Sequence, residues 1–292
     1  MKTDDECGFF HVCTDGTSLS WMFKDNNDFT YGINRIGVCE ILTGAIVLVF
    51  SLMDNHAHFL LYGTYARCLK FINRYKTLTG KWISHKYNVP KYLKHLPTSI
   101  IPLKSEEDIL ETATYIDRNA IMAGFKGLPS EYPWGSCQLM FKTDKTRLAN
   151  CKKIKDFSEN ELRDLLRTRV SLPGDWLVNN NGMIMPECFV DLEAIEKLFK
   201  TPARYLYFLT KKLEGKVDLS ISRSQKSFVP DKELRKIAAD LAQKTFGTSD
   251  IQSLKVNDRI RLAKTLKSEY LSTHKQLGRI LHLDASLLKG FV

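Results

Sequence analysis

The stretch from Gly44 to Gly63 constrains the fold more than any other part of the chain. Gly44-Ala-Ile-Val-Leu-Val-Phe-Ser-Leu52 is aliphatic and β-branched almost throughout, which suits a buried strand. Met53-Asp54-Asn55 has the chemistry of a tight turn, and His56-Ala-His-Phe-Leu-Leu-Tyr62 is again strand-like, so the stretch reads as a β-hairpin. Cys7 to Cys13 is a further strand candidate, and Asn34 to Thr43 reads as part of a helix packed on the sheet.

After Thr64 the pattern becomes helical, with Ala66, Leu69, Ile72 and Leu78 at helix spacing, and Pro90, Pro97 and Pro102 then mark loops. A second helix opens at Ser105-Glu-Glu-Asp, with a capping serine and acids in the first turn. It carries Ile109, Ala113, Ile116 and Ala120 on one face as far as Gly124. Strands followed by helices in this order predict an α+β fold, an antiparallel sheet with helices packed on it. Lys142 to Lys155 reads as a linker, Glu159 to Leu166 and Leu192 to Leu213 as helices, and Asn179-Asn-Asn-Gly182 as a turn. Ser220 to Pro230 is linker-like. Helices are expected at Asp231 to Phe246, Asn257 to Leu271 and His274 to Leu281, with a short final piece.

Of the 292 residues, 43% are apolar, enough for a real core, and the net charge is +10, which favours polyanionic partners. Seven cysteines with no CxxC pair indicate neither a disulfide framework nor a cysteine zinc site, and a reducing cytosol fits best. The N-terminus has no apolar signal core, and the longest apolar run, Ala45 to Leu52, is too short to span a bilayer. The expectation is a soluble, cytoplasmic protein with no membrane partner.

His56 and His58 are two apart, so on a strand both imidazoles project from one face and can meet one ion. Tyr115 and Asn119 are four apart on the second helix and share a face that a helix laid across the sheet would bring to those histidines. Two imidazoles and an amide oxygen leave coordination positions open, which suits Mg²⁺ or Mn²⁺ bridging a phosphate. Each pair on its own also has a plain structural explanation: half-buried histidines, a packed tyrosine ring and an asparagine at a helix end.

The run Leu52-Met-Asp-Asn-His-Ala-His-Phe-Leu-Leu61 resembles the metal-binding strand of the single-tyrosine HUH transposases. Tyr115-Ile-Asp-Arg-Asn-Ala-Ile-Met-Ala-Gly124 and Pro129-Ser-Glu-Tyr-Pro-Trp-Gly-Ser136 resemble the catalytic-tyrosine helix and tryptophan segment of the REP-associated tyrosine transposases, of the IS200-like type. The resemblance covers roughly Gly8 to Phe141. It implies a ferredoxin-like or RRM-like HUH domain over residues 1–150, with Tyr115 as nucleophile and His56, His58 and Asn119 as ligands of Mg²⁺ or Mn²⁺. The implied activity is metal-dependent cleavage and rejoining of single-stranded DNA through a 5′-phosphotyrosine, on hairpin-forming repeats, in a bacterial nucleoid-associated setting. Two positions depart from the family pattern: Ala120 stands where proline commonly follows the asparagine, and Asp54 where proline is frequent.

Between Asn55 and Ser105 there is no acidic residue, while Arg67, Lys70, Arg74, Lys76, Lys81 and Lys86 are interleaved with Tyr75, Trp82, Tyr87 and Tyr92. That mixture suits single-stranded or hairpin DNA, with bases stacked on rings and phosphates met by cations; Arg118 is expected to join it. Residues 151–225 read as a mostly helical connecting region. Residues 226–292 read as a helical domain with 13 basic and seven acidic residues. Its Thr273 to Gly290 stretch resembles a helix-turn-helix in which Leu277, Ile280 and Leu281 face a core and Lys275, Arg279 and Lys289 meet DNA, although plain three-helix packing accounts for the pattern as well. Two rival functions remain: a catalytically silent domesticated DNA-binding protein, and a metal-dependent hydrolase with a structural Tyr115. A homodimer is compatible with the resemblance, and the sequence does not choose it over a monomer.

Overall fold

In the computed structural model, residues 6–16, 18–143, 146–211, 231–270, 272–284 and 288 are described. The fold begins with β1 (Gly8–Thr14), α1 (Asn26–Thr43), β2 (Ile46–Met53), β3 (His56–Gly63), α2 (Tyr65–Tyr87) and β4 (Thr98–Leu103). The four strands form one antiparallel sheet in the order β2-β3-β1-β4, so the expected α+β architecture is present with ferredoxin-like connectivity.

The expected hairpin turns at Asp54-Asn55, within one residue of the position read from the sequence. The helix expected from Asn34 begins eight residues earlier, because Asp25 caps it by accepting from the Asp28 amide. Gly44, at φ 65°, ends it in the left-handed conformation that releases the chain into β2. The loop expected around Pro102 is instead part of β4. Among the described residues this strand pairs only with β1, and an edge strand can accept a proline because one row of its amides has no partner to lose.

Strand alternation separates two cores. Phe10, Val12, Phe50, Leu52, Ala57 and Phe59 face α1 and α2, whereas Leu48, Val49 and Leu60 face α3 (Glu106–Met122). Ser105 and Asp108 form the reciprocal capping box that starts α3. The Pro129 to Ser136 segment then runs along β2: Leu52 N donates to Trp134 O at 2.9 Å, Tyr132 Oη donates to Leu52 O at 2.6 Å, and Ser136 Oγ accepts from Phe50 N at 2.9 Å. Trp134 stacks on Phe29 with centroids 4.8 Å apart. The segment therefore satisfies the open edge of the hairpin that carries the histidines.

Residues past 150 return to the same cores. A short ribbon of β5 (Lys152–Lys153) and β6 (Leu177–Val178) accompanies α4 (Glu159–Leu166) and α5 (Leu192–Phe199). Trp176, Ile184 and Phe189 join the α1–α2 core, while Ile195 and Phe199 join the α3 core. The single helix expected from Leu192 to Leu213 is broken at Lys200, whose φ is 68°, and Pro202 follows; helix resumes over 202–211, and Lys212 and Leu213 lie outside the described residues. Three further helices, α6 (Asp231–Phe246), α7 (Val256–Glu269) and α8 (His274–Leu281), share a core built on Leu234, Ala238, Leu262, Leu266, Leu277 and Leu281. The second helix expected from Ala285, the Ser220 to Pro230 linker and Lys289 lie outside the described residues. Among the described residues no helix is long and apolar enough to cross a membrane.

Candidate active site

β1 and β3 are the two central strands, and Cys13 pairs with His58 across them. Period-two alternation therefore puts His11 and Cys13 of β1 on the same face as His56 and His58 of β3. This is the face that α3 crosses, and one cavity of about 430 Å³ is lined by Cys13, His56, His58, Tyr115 and Asn119 together. The four residues expected from the sequence to form the site thus share a cavity. His11 lies against it, its ring centroid 5.3 Å from His58 and 5.8 Å from Tyr115; Tyr115 is 5.7 Å from His58, edge-on to both.

The hydrogen bonds fix which nitrogen of each histidine is open. Asn55 donates through Nδ2 to Gly16 O at 2.7 Å, so its Oδ1 faces His56 Nδ1, also at 2.7 Å, and the imidazole must supply the hydrogen. Nε2 of His56 is left as the lone-pair nitrogen. His58 Nδ1 lies 3.1 Å from His11 Nε2, while His58 Nε2 is buried with no hydrogen-bond partner among the described residues. If Nε2 carried the hydrogen it would be a stranded buried donor; with the hydrogen on Nδ1, donated to His11, Nε2 is a bare lone pair. Both rings are thus oriented by a hydrogen bond on the far nitrogen, as metal-bound histidines are.

Burial keeps these imidazoles neutral. His11 is lowered to about 4, chiefly by burial and then by Lys275, and His56 to about 3, by burial and then by Arg279 and Arg235. His58 lies well below its usual value because it is buried beside two other histidines. Tyr115 is pushed up, first by burial, with the Arg279 cation opposing the shift. Asn119 donates Nδ2 to Tyr115 O at 2.8 Å, on the preceding turn of the same helix, which leaves its Oδ1 available as an oxygen ligand. Ala120 is buried inside α3, and with an amide hydrogen there the helix runs on to Met122.

Sequence reasoning missed His11 and Cys13. Their ligand atoms and those of His58 lie within 4.8 Å of one another, so this group can hold a metal ion. The signal was a His-X-Cys pair at strand period, the same pattern that singled out His56 and His58. The Cys13 thiol is pushed up by burial, so metal binding there would have to release its proton. All seven cysteines are free thiols.

The expected DNA-binding residues divide into four groups among the described residues. Arg67, Lys70, Arg74 and Lys81 are exposed along α2. Lys76, Trp82 and Lys86 are tied to the protein: Lys76 Nζ donates to Leu96 O, and Asp28 Oδ1 accepts from Trp82 Nε1 at 2.8 Å and from Lys86 Nζ at 2.7 Å. Arg118 is buried and donates through Nη1 to Phe208 O at 2.7 Å and to Leu209 O at 3.0 Å, so it faces the interior. Of the rings expected to stack on bases, Tyr75 is wholly buried against Phe59 and Phe71, Tyr87 donates to Asp28, and Tyr92 stacks on Trp21. Alternation along α2 put Arg67, Lys70, Arg74 and Lys81 outward and turned Tyr75 inward. Lys275 and Arg279 of α8 line the Tyr115 cavity.

No family model and no curated protein matches this chain. Among solved structures, one described as "Structure of the REP associates tyrosine transposase bound to a REP hairpin" aligns with 46% of this chain and 78% of that chain, at 12% identity and a TM-score of 0.32. Similarity at that level assigns no role to any residue here.

Proposed function

We propose that this chain is a metal-dependent single-tyrosine enzyme that cuts and rejoins single-stranded DNA at hairpin-forming repeats, with Tyr115 as nucleophile. The observation that supports it best is a cavity-facing phenol edge-on to His58, beside two imidazoles whose Nδ1 positions are committed to hydrogen bonds and whose Nε2 nitrogens are open. His56 and His58 through Nε2, and Asn119 through Oδ1, are the residues that would hold Mg²⁺ or Mn²⁺, and the unpartnered His58 Nε2 fits that role. A divalent cation bound there would polarise an oxygen of the scissile phosphate.

In this reading Tyr115 Oη bonds to phosphorus and releases its proton to water in the open cavity. The P–O3′ bond breaks with its electron pair on the 3′ oxygen, which takes a proton from water, leaving a 5′-phosphotyrosine and a free 3′-hydroxyl. A second 3′-hydroxyl reverses the step and joins new ends. His11 and His58, packed edge-on against the phenol, hold the ring in place, and the Arg279 cation favours the phenolate as it forms.

The His11–Cys13–His58 donor set favours a second reading, a hydrolase with Zn²⁺ and a structural Tyr115, because thiolate and imidazole are zinc ligands. The test is incubation with labelled hairpin and single-stranded DNA in Mg²⁺, Mn²⁺ or Zn²⁺, beside Tyr115→Phe. The proposal expects a denaturant-resistant protein–DNA adduct that is lost with Tyr115→Phe and with chelator. Turnover without an adduct favours the hydrolase, and binding without chemistry favours a silent DNA-binding protein.

A further inference from the structure

The cavity over Tyr115 is walled by the C-terminal helices as well as by the sheet and α3. Lys275 and Arg279 of α8 and Asp231 of α6 line it opposite Tyr115 and the histidines. Arg279 donates through Nε at 3.1 Å and Nη2 at 3.0 Å to the same oxygen, Asp231 Oδ2, while Asp231 Oδ1 is buried with no hydrogen-bond partner among the described residues. A guanidinium fork recognises a carboxylate and a phosphate by the same geometry. Asp231 thus stands where an anion sits on Arg279, inside the cavity that holds the phenol.

The cavity does not otherwise attract anions, because Asp15 and Asp284 also line it and with Asp231 outnumber its two cations. An incoming phosphate gains Arg279 only by replacing the carboxylate. Resting on the phosphodiester reading above, we infer that Arg279, with Lys275, is the phosphate-binding wall of the Tyr115 cavity, and that Asp231 is an internal carboxylate stand-in which a nucleic-acid phosphate displaces. The C-terminal helical region then completes the site, and α8 turns these two cations toward the cavity that holds Tyr115.

The test uses the full chain carrying Tyr115→Phe, so that no covalent step intervenes, and a fluorescent oligothymidylate read by anisotropy over a range of salt. Added Asp231→Asn is expected to tighten binding several-fold. Adding Arg279→Gln to that variant is expected to weaken binding about ten-fold and to lower the salt slope by about one, because one phosphate contact is lost. The paired substitution leaves no unpaired buried charge, and a damaged fold cannot mimic the tightening. Unchanged or weaker binding with Asp231→Asn, or a double variant that binds as tightly as Asp231→Asn, overturns the inference. Adduct formation by the Tyr115 protein is scored separately. Binding governed by Arg279 and Asp231 without any adduct removes the transesterification reading and keeps the phosphate wall. An adduct whose yield ignores both residues removes the wall alone.

Discussion

At the scale of single residues, the candidate site depends on the groups behind the histidines as much as on the histidines. Asn55 holds His56 by Nδ1 and is itself anchored to Gly16 O, so Asn55→Ala should lower Mn²⁺ affinity about 10- to 100-fold, measured by calorimetry. A Cβ at Gly16 would stand 2.9 Å from His56 Nδ1, so Gly16→Ala should displace that ring and lower metal affinity in the same assay. Away from the site, burial pushes the Glu40 carboxyl up to about 7. A carboxyl raised on folding contributes full stability below its unfolded value, and that contribution is lost as pH rises through 7. Glu40→Gln keeps the bond accepted from Val47 N and should stabilise the protein by ~2 kcal/mol at pH 8, with little effect near pH 4, in urea melts at the two pH values. The chemistry of His56, His58, Tyr115 and Asn119 was legible because each pair lies at a local period, two on a strand and four on a helix. His11 and Cys13 share the strand period, but their meeting with His58 depends on β1 pairing with β3, a contact between residues 45 or more apart that no local pattern carries.

At the scale of elements, helices with strong caps and strands with clear alternation could be read, and edges could not. α3 began where its capping box predicted, and the hairpin turned within a residue of its Asp-Asn signal. β4 was hidden because Pro102 signals a break locally, and only the sheet reveals that it lies on an edge. The return of residues past 150 onto α1 was hidden for a related reason. Asn34 donates Nδ2 to Gly182 O at 2.8 Å and accepts from Ile184 N at 2.7 Å, fastening the Asn179–Gly182 turn to α1 across almost 150 residues of sequence. Asn34→Ala strands two buried backbone groups and should cost about 2–3 kcal/mol, visible as a lower urea midpoint with an unchanged slope. If that loss leaves metal affinity intact, the turn is a structural brace remote from the site.

At the scale of the whole molecule, the sheet carries the open histidines, α3 carries the phenol, and the C-terminal helices close the cavity with cations. The net charge of +10 was visible in the sequence, but its distribution was not: the exposed cations of α2 lie on the α1–α2 side of the sheet, while Lys275 and Arg279 meet the Tyr115 cavity. The division into a catalytic domain over 1–150, a connecting region to 225 and a C-terminal DNA-binding domain stays a proposal, and limited proteolysis tests it by where the first stable fragments end. The central claim is that Tyr115 becomes covalently joined to DNA. The most direct measurement is tandem mass spectrometry of the tryptic peptide Ser105–Arg118 after incubation with hairpin DNA and Mn²⁺, followed by nuclease trimming. The account predicts a nucleotide phosphate on Tyr115 that vanishes when metal is chelated. An unmodified peptide from a reaction in which the DNA has been cut, or the nucleotide on another residue, would contradict it.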